Sequence, residues 1–208
     1  WARTLITAAN AWRVAYGDIP LPGEVAPQRE QTAEQPFYII PEGTGVKSAL
    51  EIGGKSPEQL EAEAKDIRNV SIYASDLMHN PKFEVLEEVT PQELLKLPVK
   101  ALGLPGNPTT RKIFDKIPQC RIGEYALELP RAEVGPHQAI ADKDQPLGDV
   151  YYVMHKPLTD RSGFPSVFEL ERDDNGLWLD GIWAKPGSLW LPGVRLMVAL
   201  RKIELVKS

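Results

Sequence analysis

Sulfur is scarce in this chain: 208 residues hold three methionines and one cysteine, Cys120. A lone thiol cannot close an intramolecular disulfide, so the fold must rest on burial, and a reducing, cytoplasmic setting is expected. Histidine is also rare. His79, His137 and His155 stand 58 and 18 residues apart, without the paired spacing of a zinc site, so neither a metal nor another cofactor is expected. The longest apolar runs, such as residues 196–200, fall far short of the ~20 residues that cross a bilayer, which excludes a helical membrane span. There is no excess of basic charge. With 24 Lys and Arg against 29 Asp and Glu the net charge is −5, which argues against a nucleic-acid partner, since phosphate binding needs a clustered basic surface. Residues 1–16 lack the charged start, apolar stretch and small-residue cleavage site of a signal peptide, and a segment preceding Trp1 is expected.

What is abundant is turn chemistry. Sixteen glycines and nineteen prolines accompany 42% hydrophobic and 25% charged residues, the profile of a folded, loop-rich chain of short elements. Proline-free intervals bound where long helices can lie, and three stand out: residues 1–19, 58–80 and 166–185. In the first, Leu5, Ala8, Ala9, Trp12 and Ala15 form an apolar stripe at helical spacing. Residues 17–36, with Pro20, Pro22, Pro27 and Pro36 among polar residues, read as an extended linker.

Residues 37–40 are a buried-strand candidate. Gly43 and Gly45 stand near Lys47 and Ser48, but a phosphate loop needs four residues between its glycines, so a plain turn is expected. Ser56-Pro57-Glu58-Gln59 combines a hydroxyl cap, proline in the first turn and the glutamine of a capping box. It predicts a helix through Asn80 with Leu60, Ala64, Ile67, Ser71, Ala74 and Met78 on one face and a solvated face bearing Glu61, Glu63, Lys65, Asp66 and Arg68. Residues 82–89 then alternate as a strand. Thr90-Pro91-Gln92-Glu93 repeats the capping logic for a helix limited by Pro98, and Asn107-Pro108 opens another through Ile117. The second carries only Arg111, Lys112 and Lys116 as basic residues, too few for the reading helix of a DNA-binding pair.

From Glu124 the spacing becomes strand-like, with candidates at residues 125–129, 150–155, 166–172, 177–183 and 194–206. Asp173-Asp174-Asn175-Gly176 suits a tight hairpin turn and offers no later side-chain oxygens for a calcium loop. The fold class expected is α+β: a helical N-terminal and central part followed by a C-terminal antiparallel β-sheet. The divisions are 1–36 (helix and linker), 37–123 (mainly helical) and 124–208 (antiparallel sheet).

Arg131-Ala132-Glu133-Val134-Gly135-Pro136, Asp144-Gln145-Pro146-Leu147-Gly148, Ser162-Gly163 with Val167-Phe168, Gly176-Leu177-Trp178-Leu179 and Leu200-Arg201-Lys202 resemble the C-terminal region of uncharacterised bacterial proteins, over roughly residues 100–202. The resemblance implies no reaction and no catalytic residue. The Trp-rich loops and residues 194–201 also resemble lectin-like modules of bacterial and phage surface proteins.

Trp178, Trp183 and Trp190 fall within thirteen residues beside Pro186-Gly187 and Pro192-Gly193. Tryptophans on loops stack on sugars or anchor protein partners; inside a small sheet they fill the core. The function expected is a non-enzymatic interaction module that binds protein or glycan through these aromatic and Gly/Pro-rich loops. A second reading is a hydrolase built from His137, His155, Glu133 and Asp144 with the neighbouring Asp142 and Asp160, with or without a metal, since a histidine beside a carboxylate is the minimum for general base chemistry. Solvated carboxylates and a hydrogen-bonded histidine are the ordinary alternative. A third reading is a structural subunit whose residues 1–36 wrap a neighbour. Cys120 reads as a small buried hydrophobe.

Overall fold

A computed structural model describes residues 37–203; the apolar stripe from Leu5 to Ala15, the linker and the last five residues lie outside the described residues. The expected helical centre followed by an antiparallel sheet is overturned. Strands run through the whole described chain and join one ten-stranded mixed sheet. In chain order they are β1 (Tyr38–Ile39), β2 (Val46–Ile52), β3 (Asn69–Val70), β4 (Thr90–Pro98), β5 (Cys120–Ile122), β6 (Tyr125–Glu128), β7 (Val150–Thr159), β8 (Pro165–Asp173), β9 (Gly176–Trp183) and β10 (Arg195–Lys202). The helices are short: α1 (Pro57–Lys65), α2 (Ile72–Met78), α3 (Thr110–Lys116) and α4 (Val134–Ala141). β10 pairs antiparallel with β4 and β6 and parallel with β7; β7, β8 and β9 form an antiparallel meander; β1 with β5 and β3 with β9 are parallel. Strands from before and after residue 124 thus share one sheet.

The largest correction is β4. The Thr-Pro-Gln-Glu start suits a helix, but Leu94, Leu95 and Leu97 are all buried. In a strand between β2 and β10, alternate residues serve opposite cores, and a strand covered on both faces reads as a continuous apolar run. Leu94 joins Ile52, Tyr151, Val153, Phe168, Leu170, Leu179 and Met197 in one core, sealed by Leu60 and Ala64 of α1, Ala74, Leu77 and Met78 of α2, and Val134 and Ala139 of α4. Leu95 and Leu97 join Met154, Leu196, Val198 and Leu200 in the other, with Ile113 of α3 and the buried Cys120.

The helix expected over residues 58–80 is two helices. Its capping box is present, with Ser56 and Gln59 bonded reciprocally. It stops at Asp66 because Arg68, expected on a solvated face, turns inward and is 5% exposed. Its guanidinium donates to the carbonyls of Ala139, Asp142 and Trp178 and to Gln145 Oε1, tying α4 and β9 together. Asn69 and Val70 then pair with Trp178 and Leu179, and Ser71 caps α2. Residues 82–89, expected as a strand, form an irregular segment, whereas the Asp173–Gly176 hairpin is present as expected. Val134–Ala141, within the segment expected to be strand-like, is helical. Gly135 allows close packing there: a Cβ would fall 2.4 Å from the Phe168 ring.

Candidate functional site

β9 ends at Trp183, and the turn after β7 passes beside it. Asp160 in that turn is 6% exposed, and its carboxylate collects the amides of Ser162 (2.8 Å) and Phe164 (3.0 Å) and the indole N–H of Trp183 (2.9 Å). The Trp183 indole and the Phe164 backbone are thereby fixed; the two rings stand edge to face with centroids 5.1 Å apart, and yet they stay in solvent: Trp183 is 47% and Phe164 37% exposed. The Lys185 ammonium lies 3.7 Å from the Phe164 centroid and 4.4 Å from that of Trp183, a cation–π arrangement on both rings. α2 extends the surface. A Cβ on Gly181 would lie 3.0 Å from the Tyr73 backbone, so glycine lets α2 rest directly on β9 and brings Ile72 and Tyr73, both exposed, to the same side as Trp183. Arg161 joins the turn to α2 through a fork on Asp76, with Nη2 2.7 Å from Oδ1.

The three tryptophans do not converge. Trp190 is buried, its indole N–H donating to Thr110 Oγ1 (2.8 Å) and its ring edge-on to Tyr152. Trp178 is half-buried and donates to Asp173 (3.0 Å). Of the three, Trp183 alone is exposed.

The histidines are committed to backbone. His155 is fully buried; its Nε2 accepts the Phe168 amide (3.2 Å) and its Nδ1 donates to the Lys156 carbonyl (2.8 Å). His137 Nε2 accepts the Gly53 amide (3.1 Å). Burial pushes both imidazoles down to about 4, and the Lys55 charge adds to this at His137. Glu133 and His137 share the start of α4, but Nε2 and Oε2 are 3.9 Å apart, beyond hydrogen bonding. The Glu133 carboxylate is occupied by the Leu86 amide and by Arg131 Nε at 2.8 Å. Asp144 sits exposed in the turn after α4, and Asp142 accepts from the Tyr151 hydroxyl (2.6 Å). His79, the remaining histidine, is exposed on α2's end. Among the described residues no three His, Cys, Asp or Glu side chains are placed to hold a metal ion, and no helix is long and apolar enough to cross a membrane.

Two features escape the sequence reading. Glu169 and Glu171 alternate along β8 on one face, with Tyr152 and Asp180 directly opposite Glu169 on the flanking strands. Burial, reinforced by the Glu171 charge, pushes the Glu169 carboxyl up to about 7, so it is partly protonated at neutral pH beside an acidic neighbour. The Glu-Leu-Glu alternation was the available signal. The second is the grouping of Tyr73, Arg161, Phe164 and Trp183, for which no local signal exists, because three separate segments supply it. No protein-family model matches the chain, and neither a curated protein nor a solved structure matches it.

Proposed function

We propose that the chain is a non-enzymatic protein-interaction module that grips a partner polypeptide through Tyr73, Arg161, Phe164, Trp183 and Lys185. One observation carries this reading. A buried carboxylate, Asp160, bonds the Trp183 indole and the backbone amide of Phe164, and the two rings meet edge to face at the surface. Rings fixed before binding lose little conformational freedom on association, and Trp, Tyr and Arg are the side chains that dominate binding energy in protein interfaces. A protein suits the patch better than a glycan, because the Lys185 ammonium occupies a face of each ring on which a sugar would stack. The hydrolase reading loses support from His137 and His155, whose Nε2 atoms already accept backbone amides.

The test is selection of short random peptides displayed on phage against the full immobilised chain, without prior depletion, each selected peptide then being measured on the parent, on single variants and on a Phe164→Ala, Trp183→Ala double variant. Selected peptides should lose at least about ten-fold in affinity on Trp183→Ala or Tyr73→Ala, as befits hot-spot residues. Peptides that bind the double variant as well as the parent refute the assignment.

A further inference from the structure

β2 lies at a margin of the sheet. Its seven residues pair with β4 in unbroken register, from Val46 opposite Lys96 to Ile52 opposite Thr90, and among the described strands it has no second neighbour. Its outer flank therefore presents the amides and carbonyls of alternate residues, a template for another strand. Val46, Lys47, Ser48 and Ala49 are exposed. Natural edges are blunted by proline, by a bulge or by unmatched charge. β2 contains no proline and no bulge, and its two charges, Lys47 and Glu51, are opposite in sign.

We propose that two copies of this chain associate through β2, antiparallel, about a two-fold axis passing through Ala49. Symmetric antiparallel pairing requires one residue to face its own copy. With Ala49 on the axis, Lys47 of each copy lies directly opposite Glu51 of the other, on the same face of the continued sheet, so both charges are matched twice. The same register sets Val46 opposite Ile52 and Ser48 opposite Leu50. Moving the axis to Ser48 places Lys47 opposite Ala49 and Glu51 opposite Gly45; moving it to Leu50 places Lys47 opposite Gly53. Only the Ala49 register satisfies both charges, and direct cross-strand opposition is where charge pairing in sheets counts. One strand pair covers less than the roughly 1,000 Å² of a stable interface, so the association is weak, with half the chains paired at on the order of 10–100 µM. This surface is independent of the aromatic patch.

The test is sedimentation velocity of the full chain from ~1 µM to ~1 mM in low salt, a range that brackets the expected constant. Lys47→Glu and Glu51→Lys each oppose like charges and should weaken association at least about five-fold, and the double exchange should restore it. Because Lys47 also lies 4.4 Å over the Tyr125 ring, thermal unfolding of each variant confirms that the fold persists. Cross-linking supplies a second measurement. Across the axis the two Ala49 Cα atoms should lie about 4.5–5.5 Å apart, within disulfide range, so Ala49→Cys should form a covalent dimer under mild oxidation. Val46→Cys should not, its copies being separated by about 20 Å along the ladder. Cys120 is buried and does not compete. A chain that stays monomeric at ~1 mM, an association indifferent to the charge exchange, or equal trapping by the two cysteines overturns the proposal.

Discussion

Replacing Glu169 by glutamine should stabilise this protein, and only at neutral to alkaline pH. The carboxyl is half-buried on β8, opposite Tyr152 and Asp180 and beside Glu171, and its proton affinity rises from an ordinary 4.5 to about 7. A carboxyl that binds its proton more tightly when folded adds stability below pH 4.5, and that contribution drains away as pH climbs through 7. At about 1.4 kcal/mol per pH unit the ceiling is about 3 kcal/mol. Residual solvent around the side chain roughly halves this, leaving about 1–2 kcal/mol. Glutamine imitates the protonated form at every pH. Glu169→Gln should therefore match the parent near pH 4.5 and exceed it above pH 7.5 by about 2–8 °C in Tm, at about 2–4 °C per kcal/mol for a chain of this size. Thermal unfolding followed by near-ultraviolet circular dichroism at a series of pH values reads this directly, and carbon-13 titration of the Glu169 carboxyl checks its cause. A Tm difference that is absent at pH 8, or equally large at pH 5, would show that the row of acids does not strain the folded state.

Acid should act on the histidines with the opposite sign. His137 and His155 fall from 6.5 to about 4 on folding, so the stability they contribute is complete above pH 6.5 and is lost as pH drops toward 4; unfolding of Glu169→Gln, which removes the opposing term, should show the loss undisguised, and His155→Gln should flatten it. Arg68→Met leaves the Ala139, Asp142 and Trp178 carbonyls without their donor and should cost at least about 3 kcal/mol in urea unfolding. Gly135→Ala drives a methyl group to 2.4 Å from the Phe168 ring and should cost about 1–3 kcal/mol by the same measurement. A neutral outcome for either variant contradicts the packing described.

Local signals in the sequence led to local structure. The Ser56 capping box, the Asp173–Gly176 hairpin and the strands of residues 150–183 depend on neighbours along the chain, and each is present. β4 misled because Leu94, Leu95 and Leu97 satisfy a helix stripe as readily as a strand buried on both faces; the choice is made by β2 and β10, one of them about a hundred residues away. The helix of residues 58–80 divided for a similar reason: Arg68 serves carbonyls from α4 and β9 that no window around it contains. Among the candidate site residues, His137, His155 and Glu133 have the composition of a catalytic group, but their backbone partners Gly53, Phe168 and Leu86 were invisible in a list of side chains. Trp183 was legible as an aromatic on a strand end; its companions Tyr73 and Phe164 were not, since Gly181 and Asp160 create that proximity only in three dimensions.

The position of β10 bears on how a nascent chain matures. It joins β4, β6 and β7, yet it is the last of the described strands to leave the ribosome. Until residue 202 has emerged, β4 and β7 must wait with open flanks, and their apolar side chains have no completed core to enter. Closure of the sheet is thereby deferred until β10 arrives, a slow, long-range step, and a chain stopped before residue 202 is a fragment prone to stick to others instead of a smaller working protein.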